Sequence, residues 1–338
     1  MAYRKLVTGL TICIVLAGAS LLPGCTKSTV STTLVGNWVR RGDFDGVARS
    51  EPVSATLGSK VYAGLGFDGT NRLSDFWEYD PANDAWRKKK DFPGTPRNAA
   101  VAFAANNKIY VGLGYDGVNK LRDFWEYDPE TDNWKQLADF AGSARYGASA
   151  FTLKDKGYVV AGYDGNPSKE LWQYDATADE WTLKNGPGSK RYNSSVFVID
   201  DKAYLVTGTN NGVNINDFWV YDPDEDKWTE KNKISNVSDD TFDDAYNIIR
   251  YSATAFVIDG KGYISTGVNG GYSTTTWVYD PATDLWAAKT NFQGSGREGA
   301  IGFTVNNRGY VALGRSSSLR FDDVREFLPS DESSTNDD

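Results

Sequence analysis

Glu298 and Arg315 are the residues of this sequence whose types best suit acid–base or anion chemistry. A carboxyl group can give or take a proton, and a guanidinium can hold an anion through paired hydrogen bonds. Each occupies a position of an internal repeat that holds only uncharged residues in the other copies. Arg320 follows Arg315 in the same predicted turn. Departures from a repeat are where a specific function can lie, so these residues are the first site candidates.

The residue types that are missing exclude several chemistries. The chain has no His, and its two Cys are Cys13 and Cys25, both near the N terminus. A Ser/His or Cys/His triad is therefore impossible, and a transition-metal site would lack its nitrogen ligands. We expect no metal and no cofactor. The net charge of −9, with no basic cluster after the N-terminal segment, argues against nucleic acid as a partner.

One acidic segment could offer oxygen ligands to a cation. Asp239, Asp240, Asp243 and Asp244 lie in the longest insertion, Ser235–Ile249. Calcium takes carboxylate oxygens, but the segment lacks the spacing and the glycine of an EF-hand loop. We expect a solvated loop, and the sequence leaves calcium binding open.

The candidate residues belong to an array of six repeats of one aromatic motif. The motif Asp-Phe-Trp-x-Tyr-Asp-Pro and its looser copies occur at Asp75–Pro81, Asp123–Pro129, Glu170–Ala176, Asp217–Pro223, Thr275–Pro281 and Asp323–Pro329. A second Trp follows the first five copies, at Trp86, Trp134, Trp181, Trp228 and Trp286, with spacings of 48, 47, 47 and 58 residues. A period of this length indicates a solenoid or a propeller.

Within each repeat the residue sizes predict a β-propeller. Four strands are predicted per copy, the first two built from Ala, Ser, Gly and Val and the last two carrying Trp, Phe and Tyr. Small inner and large outer residues suit sheets that converge on one axis. The Trp side chains are therefore predicted to pack between blades. Two-residue hairpin turns are predicted at Gly58-Ser59, Asn106-Asn107, Asp155-Lys156, Asp200-Asp201, Asp259-Gly260 and Asn306-Asn307.

Six arginines mark the start of the repeats, and the two chain ends complete the ring. The arginines are Arg49, Arg97, Arg145, Arg191, Arg250 and Arg297, predicted to form ion pairs between blades or to anchor the backbone. The sixth copy has only three strands, whereas residues 36–40 form an orphan fourth strand around Trp38. We predict an all-β, six-bladed propeller of four-stranded antiparallel blades, in which this N-terminal strand closes the last blade and removes exposed sheet edges.

The N terminus has the features of a secretory signal. Arg4 and Lys5 precede the apolar segment Leu6–Leu22, and the sequence Leu-Pro-Gly-Cys that ends at Cys25 resembles a bacterial lipobox. We predict a signal peptide over 1–24, lipidation of Cys25, a tether over 25–35, the propeller over 36–329 and a disordered acidic tail over 330–338. The alternative is an uncleaved anchor or a plain signal peptide. We expect a monomer anchored in the bacterial cell envelope, in the outer rather than the inner membrane.

The repeats resemble those of the kelch family over Gly36–Pro329. The resemblance rests on Pro96-Arg97 at a strand start, on Tyr-Val-x-x-Gly, and on Leu-x-Asp-x-Trp-x-Tyr-Asp-Pro followed by Trp. It implies a ligand-binding rim formed by the residue after each repeat arginine and the residue after each strand-two glycine. With Arg320 added, these are Ser50, Phe67, Asn98, Tyr115, Tyr146, Tyr163, Tyr192, Thr209, Tyr251, Val268, Glu298, Arg315 and Arg320. The insertion is predicted to hang over this rim.

The resemblance leaves two classes of function. The first, which we favour from the sequence, is a non-catalytic module that binds a protein, peptide or glycan at the rim. The alternative is a sialic acid mutarotase (N-acetylneuraminate epimerase), because such enzymes are also six-bladed kelch propellers and need only acid–base groups. Glu298 and Arg315 would then be the catalytic candidates. Copper oxidases with kelch repeats are excluded because the chain lacks His.

Overall fold

The computed structural model describes residues 34–334 together with Met1. Apart from Met1, the predicted signal peptide lies outside the described residues, as do Cys25, most of the tether and the last four residues of the tail. In the part that is described, no helix is long and apolar enough to cross a membrane.

Residues 34–334 form six four-stranded antiparallel sheets and two short hairpins, so the predicted fold is confirmed. The sheets, here called blades 1 to 6, consist of β2–β5, β6–β9, β10–β13, β14-β15-β18-β19, β20–β23, and β24-β25-β28-β1. The strands are β1 (Asn37–Arg41), β2 (Val53–Leu57), β3 (Lys60–Gly64), β4 (Phe76–Asp80), β5 (Ala85–Lys89), β6 (Val101–Ala105), β7 (Lys108–Gly112), β8 (Phe124–Asp128), β9 (Asn133–Gln136), β10 (Ser149–Leu153), β11 (Lys156–Val160), β12 (Leu171–Asp175), β13 (Glu180–Lys184), β14 (Ser195–Ile199), β15 (Lys202–Val206), β16 (Thr209–Asn210), β17 (Val213–Asn214), β18 (Phe218–Asp222), β19 (Lys227–Lys231), β20 (Thr254–Ile258), β21 (Lys261–Ser265), β22 (Thr276–Asp280), β23 (Leu285–Lys289), β24 (Ile301–Val305), β25 (Arg308–Ala312), β26 (Arg315–Ser316), β27 (Leu319–Arg320) and β28 (Val324–Leu328).

The N-terminal strand closes the ring as predicted. β1 pairs antiparallel with β28, with Asn37 opposite Leu328 and Arg41 opposite Val324. Trp38 is fully buried. The first residues of the predicted tail continue this contact, because Gly36 N donates to Asp331 O at 2.9 Å. The first residues of the tail thus contact the strand that closes blade 6, and disorder of the tail stays a prediction.

The hairpin turn between the two inner strands lies at the predicted residues in five of the six blades. In blade 2, Asn106 and Asn107 adopt φ values of 47° and 57°, which the two-residue turn requires. The prediction was wrong by one residue in blade 3. There Leu153 pairs with Lys156, so the turn is Lys154-Asp155, with φ values of 50° and 59°.

The core lies between neighbouring blades. Tyr79 of blade 1 contacts Phe303 and Tyr310 of blade 6, with ring centroids 6.2 and 6.0 Å apart. Trp86 belongs to the same buried cluster, which confirms that these rings pack between blades. Small residues of the inner strands line a central channel, with a cavity of about 420 Å³ toward the hairpin end and one of about 200 Å³ at mid-height.

The six repeat arginines are structural, and of the two predicted roles the structure confirms the anchoring of the backbone, since Arg97 Nε donates to Thr95 O at 2.8 Å and Arg97 Nη1 to Leu113 O at 3.0 Å. Arg97 is fully buried, and its two terminal nitrogens donate to the Asp123 carboxylate at 2.6 and 2.7 Å. Both residues belong to blade 2, so this ion pair lies within a blade. The link between blades is made by the backbone, where Gly66 N of blade 1 donates to Arg97 O at 2.8 Å. Because the six arginine side chains are buried, a ligand cannot reach them.

Candidate functional site

The predicted rim residues meet in pairs on one face of the propeller. Each blade contributes one residue before its first strand and one after its second, joined by a β-bridge. The pairs are Ser50–Phe67, Asn98–Tyr115, Tyr146–Tyr163, Tyr192–Thr209, Tyr251–Val268 and Glu298–Arg315. In an antiparallel hairpin the entry and exit lie at the same end, which is why the pattern could be read from the sequence. The role of these residues in binding stays a prediction.

A third ring of residues on this face was missed by the sequence analysis, apart from Arg320. In each blade the residue after the second strand also pairs with a residue four or five positions further on. These partners are Arg72, Lys120, Pro167, Asn214, Tyr272 and Arg320. The variable spacing hides the ring in the sequence. Its cationic members cluster on blades 6, 1 and 2, and Arg72, Lys120 and Arg320 are here called the basic arc.

Two arginines of the basic arc rest on aromatic rings. The Arg72 guanidinium lies 5.1 Å from the ring centroid of Phe67 and 5.0 Å from that of Tyr115. The Arg320 guanidinium lies 5.4 Å from the same Phe67 centroid. Cation–π contacts of this kind fix the guanidinium planes. Arg72 and Arg320 are therefore positioned before any ligand arrives.

Four tyrosines continue the face on the opposite side of Arg72. Tyr115, Tyr146, Tyr163 and Tyr192 stand in a tilted series, with successive centroid distances of 5.5, 5.4 and 5.3 Å. Burial, together with the neighbouring tyrosines, raises the pKa of Tyr146. These rings form a half-buried aromatic wall, which we call the tyrosine arc.

Between the two arcs lies a pocket of about 430 Å³. Its wall combines a carboxylate, two cations, an amide and aromatic rings. The lining residues are Glu51, Arg72, Asn98, Tyr115, Val118, Lys120, Tyr146 and Tyr163. A pocket with a few convergent polar groups beside aromatic surface suits a small polar ligand with one anionic group.

Glu298 and Arg315 form an ion pair at the edge of this face. Arg315 Nη2 lies 2.8 Å from Glu298 Oε1, and Glu298 is buried. Burial raises the pKa of Glu298; the charge of Arg315 opposes this shift, and the charge of Glu51 adds to it. Glu298 therefore holds a proton more readily than a surface carboxylate does.

Glu51 is the site residue that sequence reasoning missed most clearly. Its carboxylate accepts a hydrogen bond from the side-chain amide of Asn98, and the amide oxygen of Asn98 accepts one from Arg72 Nε at 2.8 Å. Sequence comparison stopped at the first residue after each repeat arginine, whereas Glu51 is the second. The signal was present, because Glu51 is the only charged residue at that second position.

The insertion Ser235–Ile249 does not hang over the rim as predicted. Ile248 and Tyr246 are buried in one cluster with Trp277 and Trp286 of blade 5, and Tyr246 Oη accepts from Trp286 N at 2.6 Å. The loop lies along the outer strands because its apolar residues need that surface. Its Asp243 carboxylate accepts hydrogen bonds from Val237 N and Ser238 N, both at 3.0 Å.

Comparison with known proteins agrees with this architecture. The family model of N-acetylneuraminate epimerase matches residues 45–181, and that of the kelch motif matches residues 190–233. The solved structure titled "Structure of YjhT" superposes with a TM-score of 0.70 at 18% sequence identity, covering 84% of this chain and 96% of that one. No curated protein matches.

Six four-stranded blades around one channel define the chain as a six-bladed β-propeller. The match over residues 190–233 shows a kelch motif within this propeller. Every residue that lines the 430 Å³ pocket falls inside the segment matched by the epimerase family model, whereas Glu298 and Arg315 fall outside it.

Proposed function

We propose that this propeller interconverts the anomers of N-acetylneuraminate, or of a closely related sugar acid, at the pocket between the basic and tyrosine arcs. The observation that carries the proposal is the epimerase match over residues 45–181, which contains all eight lining residues of that pocket. Sequence reasoning alone favoured a non-catalytic binding module, and this match moves our preference to the enzymatic alternative.

The chemistry of the substrate fits the groups that line the face. N-acetylneuraminate carries a carboxylate on its anomeric carbon, and the cations Arg72 and Lys120 offer charged donors for that group. The apolar face of the sugar ring suits the tyrosine rings. A ligand held by both arcs would be oriented as well as bound, which is the condition for efficient proton transfer.

The reaction needs an acid and a base at the anomeric centre. Exchange of anomers opens the ring when the ring oxygen is protonated and the anomeric hydroxyl loses its proton. Glu298 suits the acid, since burial raises its pKa. Arg315, 2.8 Å from the Glu298 carboxylate, would hold that group in place and stabilise it after the proton has left.

A non-catalytic binding module is the second candidate. It is favoured by the same ion pair, because a carboxylate already bound to Arg315 is less free to exchange protons. In this case the rim would bind a protein, peptide or glycan through the tyrosine and basic arcs. Arg315→Ala and Glu298→Ala should weaken a ligand bound at this face under either function.

Anomer exchange of N-acetylneuraminate, followed by NMR in the presence of the full chain, separates the two functions. The proposal predicts exchange faster than in buffer. Glucose, which has no carboxylate, is the matched control sugar and should exchange at the buffer rate. Binding of N-acetylneuraminate without faster exchange would contradict catalysis and support the binding module. If the sugar acid neither binds nor exchanges faster than in buffer, a sugar-acid ligand is contradicted altogether.

A further inference from the structure

The second residue after each repeat arginine lies in a ring around the propeller axis. These residues are Glu51, Ala99, Gly147, Asn193, Ser252 and Gly299, and all have φ values between 51° and 62°. Their backbones are linked from blade to blade, for example by Ala99 N donating to Glu51 O at 3.0 Å and Glu51 N donating to Gly299 O at 2.7 Å. We call these six residues the axial ring.

The fold does not require a charged side chain at position 51 of the axial ring. The other five members are Ala, Gly, Asn, Ser and Gly, all small. The left-handed backbone conformation favours Gly and tolerates Asn, whereas a longer side chain adds strain. The hydrogen bonds of the ring are made by backbone atoms and need no carboxylate. A strained position that holds an unnecessary charged group indicates function.

The Glu51 side chain lies against Gly299, the residue after Glu298. Its Cγ lies 2.9 Å from the point that a Cβ on Gly299 would occupy, so the side chain rests directly on the residue after Glu298. Only a glycine at position 299 leaves this space. Glu51 of blade 1 therefore lies against the neighbour of Glu298 of blade 6, close enough for the charge of Glu51 to act on the Glu298 carboxyl group.

The Glu51 carboxylate is oriented through one oxygen and open at the other. Oε2 accepts from the amide of Asn98, which is itself fixed by Arg72. Within residues 34–334, no hydrogen bond reaches Oε1. Because Glu51 lines both the 430 Å³ pocket and a cavity of about 150 Å³ on the axis, its side chain borders the space open to a ligand.

We propose that Glu51 is the second proton-transfer residue of the site, acting as the base while Glu298 acts as the acid. This assignment rests on the proposed function, since it names the partner that Glu298 needs for anomer exchange. Two carboxyl groups in unlike surroundings, one buried and one held as a hydrogen-bond acceptor, are a recurring arrangement for acid–base work.

The step balances without any further reactant. Glu51 takes the proton of the anomeric hydroxyl as Glu298 delivers its proton to the ring oxygen, and the bond between the anomeric carbon and the ring oxygen breaks. The open-chain ketone that results turns its other face to the new hydroxyl. Closure returns one proton to Glu298 and one from Glu51 to the carbonyl oxygen, so both carboxyl groups recover their starting states.

The test compares Glu51→Gln with wild-type protein and with Glu130→Gln, an exposed glutamate in an outer turn of blade 2. Gln keeps an oxygen that can accept from Asn98 but cannot take the proton. The NMR-detected exchange rate of N-acetylneuraminate should fall by about 10²-fold or more in Glu51→Gln, the usual share of a general base. Binding of the sugar acid should persist, and Glu130→Gln should behave as wild type.

Glu51→Asn supplies a second variant in case Gln disturbs the fold. Asn193 shows that the axial ring accommodates Asn at the same φ. Wild-type exchange rates in both folded variants would overturn the assignment while leaving the proposed function intact. Loss of binding together with rate would also overturn it, because Glu51 would then be a binding residue. A wild-type protein without any acceleration would overturn the proposed function and the assignment together.

Discussion

Replacing Trp38 with Ala should strongly destabilise the whole propeller, because one side chain joins the two ends of the chain. The indole is fully buried, and its centroid lies 4.9 Å from that of Phe292 and 4.8 Å from that of Phe327. Its Nε1 donates to Thr290 O at 3.3 Å. The truncation therefore leaves a cavity between blades 5 and 6 and an unpaired carbonyl.

The expected loss follows from that burial. Trp→Ala in a well-packed core costs about 3–5 kcal/mol, and the complete burial of Trp38 places it toward the upper end. Domains are typically stable by only about 5–15 kcal/mol, so much of the stability would disappear. The melting temperature should fall by about 5–10 °C for a chain of this size.

Urea unfolding followed by circular dichroism measures this loss, with Trp228→Ala as the matched control. Trp228 occupies the same slot in blade 4 but is only partly buried, and its sheet closes within one continuous stretch of chain. The control should lose less stability. A Trp38→Ala variant that unfolds with wild-type free energy, or one no less stable than Trp228→Ala, would refute the argument that the N-terminal strand secures the ring.

The remaining predictions concern ligand, acid stability and membrane anchoring. Arg72→Ala should weaken N-acetylneuraminate binding in NMR titrations, whereas Glu130→Gln should not; equal affinities would remove the basic arc from the site. Asp123→Asn should cost about 3 kcal/mol at neutral pH, since it leaves the buried Arg97 unpaired. Burial disfavours the charged form of Asp123, but the hydrogen bond and charge of Arg97 outweigh it and hold the pKa below 3.8. That stabilisation is complete above pH 3.8 and is lost as the pH falls through the lower, folded-state pKa. The difference in unfolding free energy between wild type and Asp123→Asn, measured in urea, should therefore narrow at that pH. A difference that does not depend on pH would contradict the pairing. Cys25→Ser should move the protein from the membrane to the soluble fraction of bacterial cells, and a wild type that is already soluble would contradict the lipobox interpretation.

The architecture could be predicted because every blade repeats the same physical solution. The strand around Trp38 has no repeat of its own, and the sixth repeat lacks a fourth strand. Pairing the two is the simplest way to complete the ring. The arginines were recognised as structural, but their partners were not. An ion pair such as that of Arg97 with Asp123 joins residues 26 positions apart, and sequence spacing alone does not tell whether such a pair lies within a blade or between blades.

The site was predicted only in part, for reasons of geometry. The rim positions follow from strand order. The positions of Arg72 and Lys120 depend on how the segment between the second and third strands of each blade folds back onto the rim. Glu51 was missed because the repeats were compared only at the first residue after the arginine, although Glu51 is the only charged residue at the second. The insertion was misplaced because its position just before the first strand of blade 5 suggested the rim, whereas burial of Tyr246 and Ile248 decides where it packs.

The most direct test of the central claim is the rate at which the full chain exchanges the anomers of N-acetylneuraminate. Saturation-transfer NMR at equilibrium reads this rate without a coupled assay, and glucose in the same tube provides the internal control. We predict that the exchange rate of the sugar acid rises in proportion to protein concentration, while that of glucose stays at its buffer value. Exchange of N-acetylneuraminate at the buffer rate, at protein concentrations where the sugar acid is bound, would contradict it.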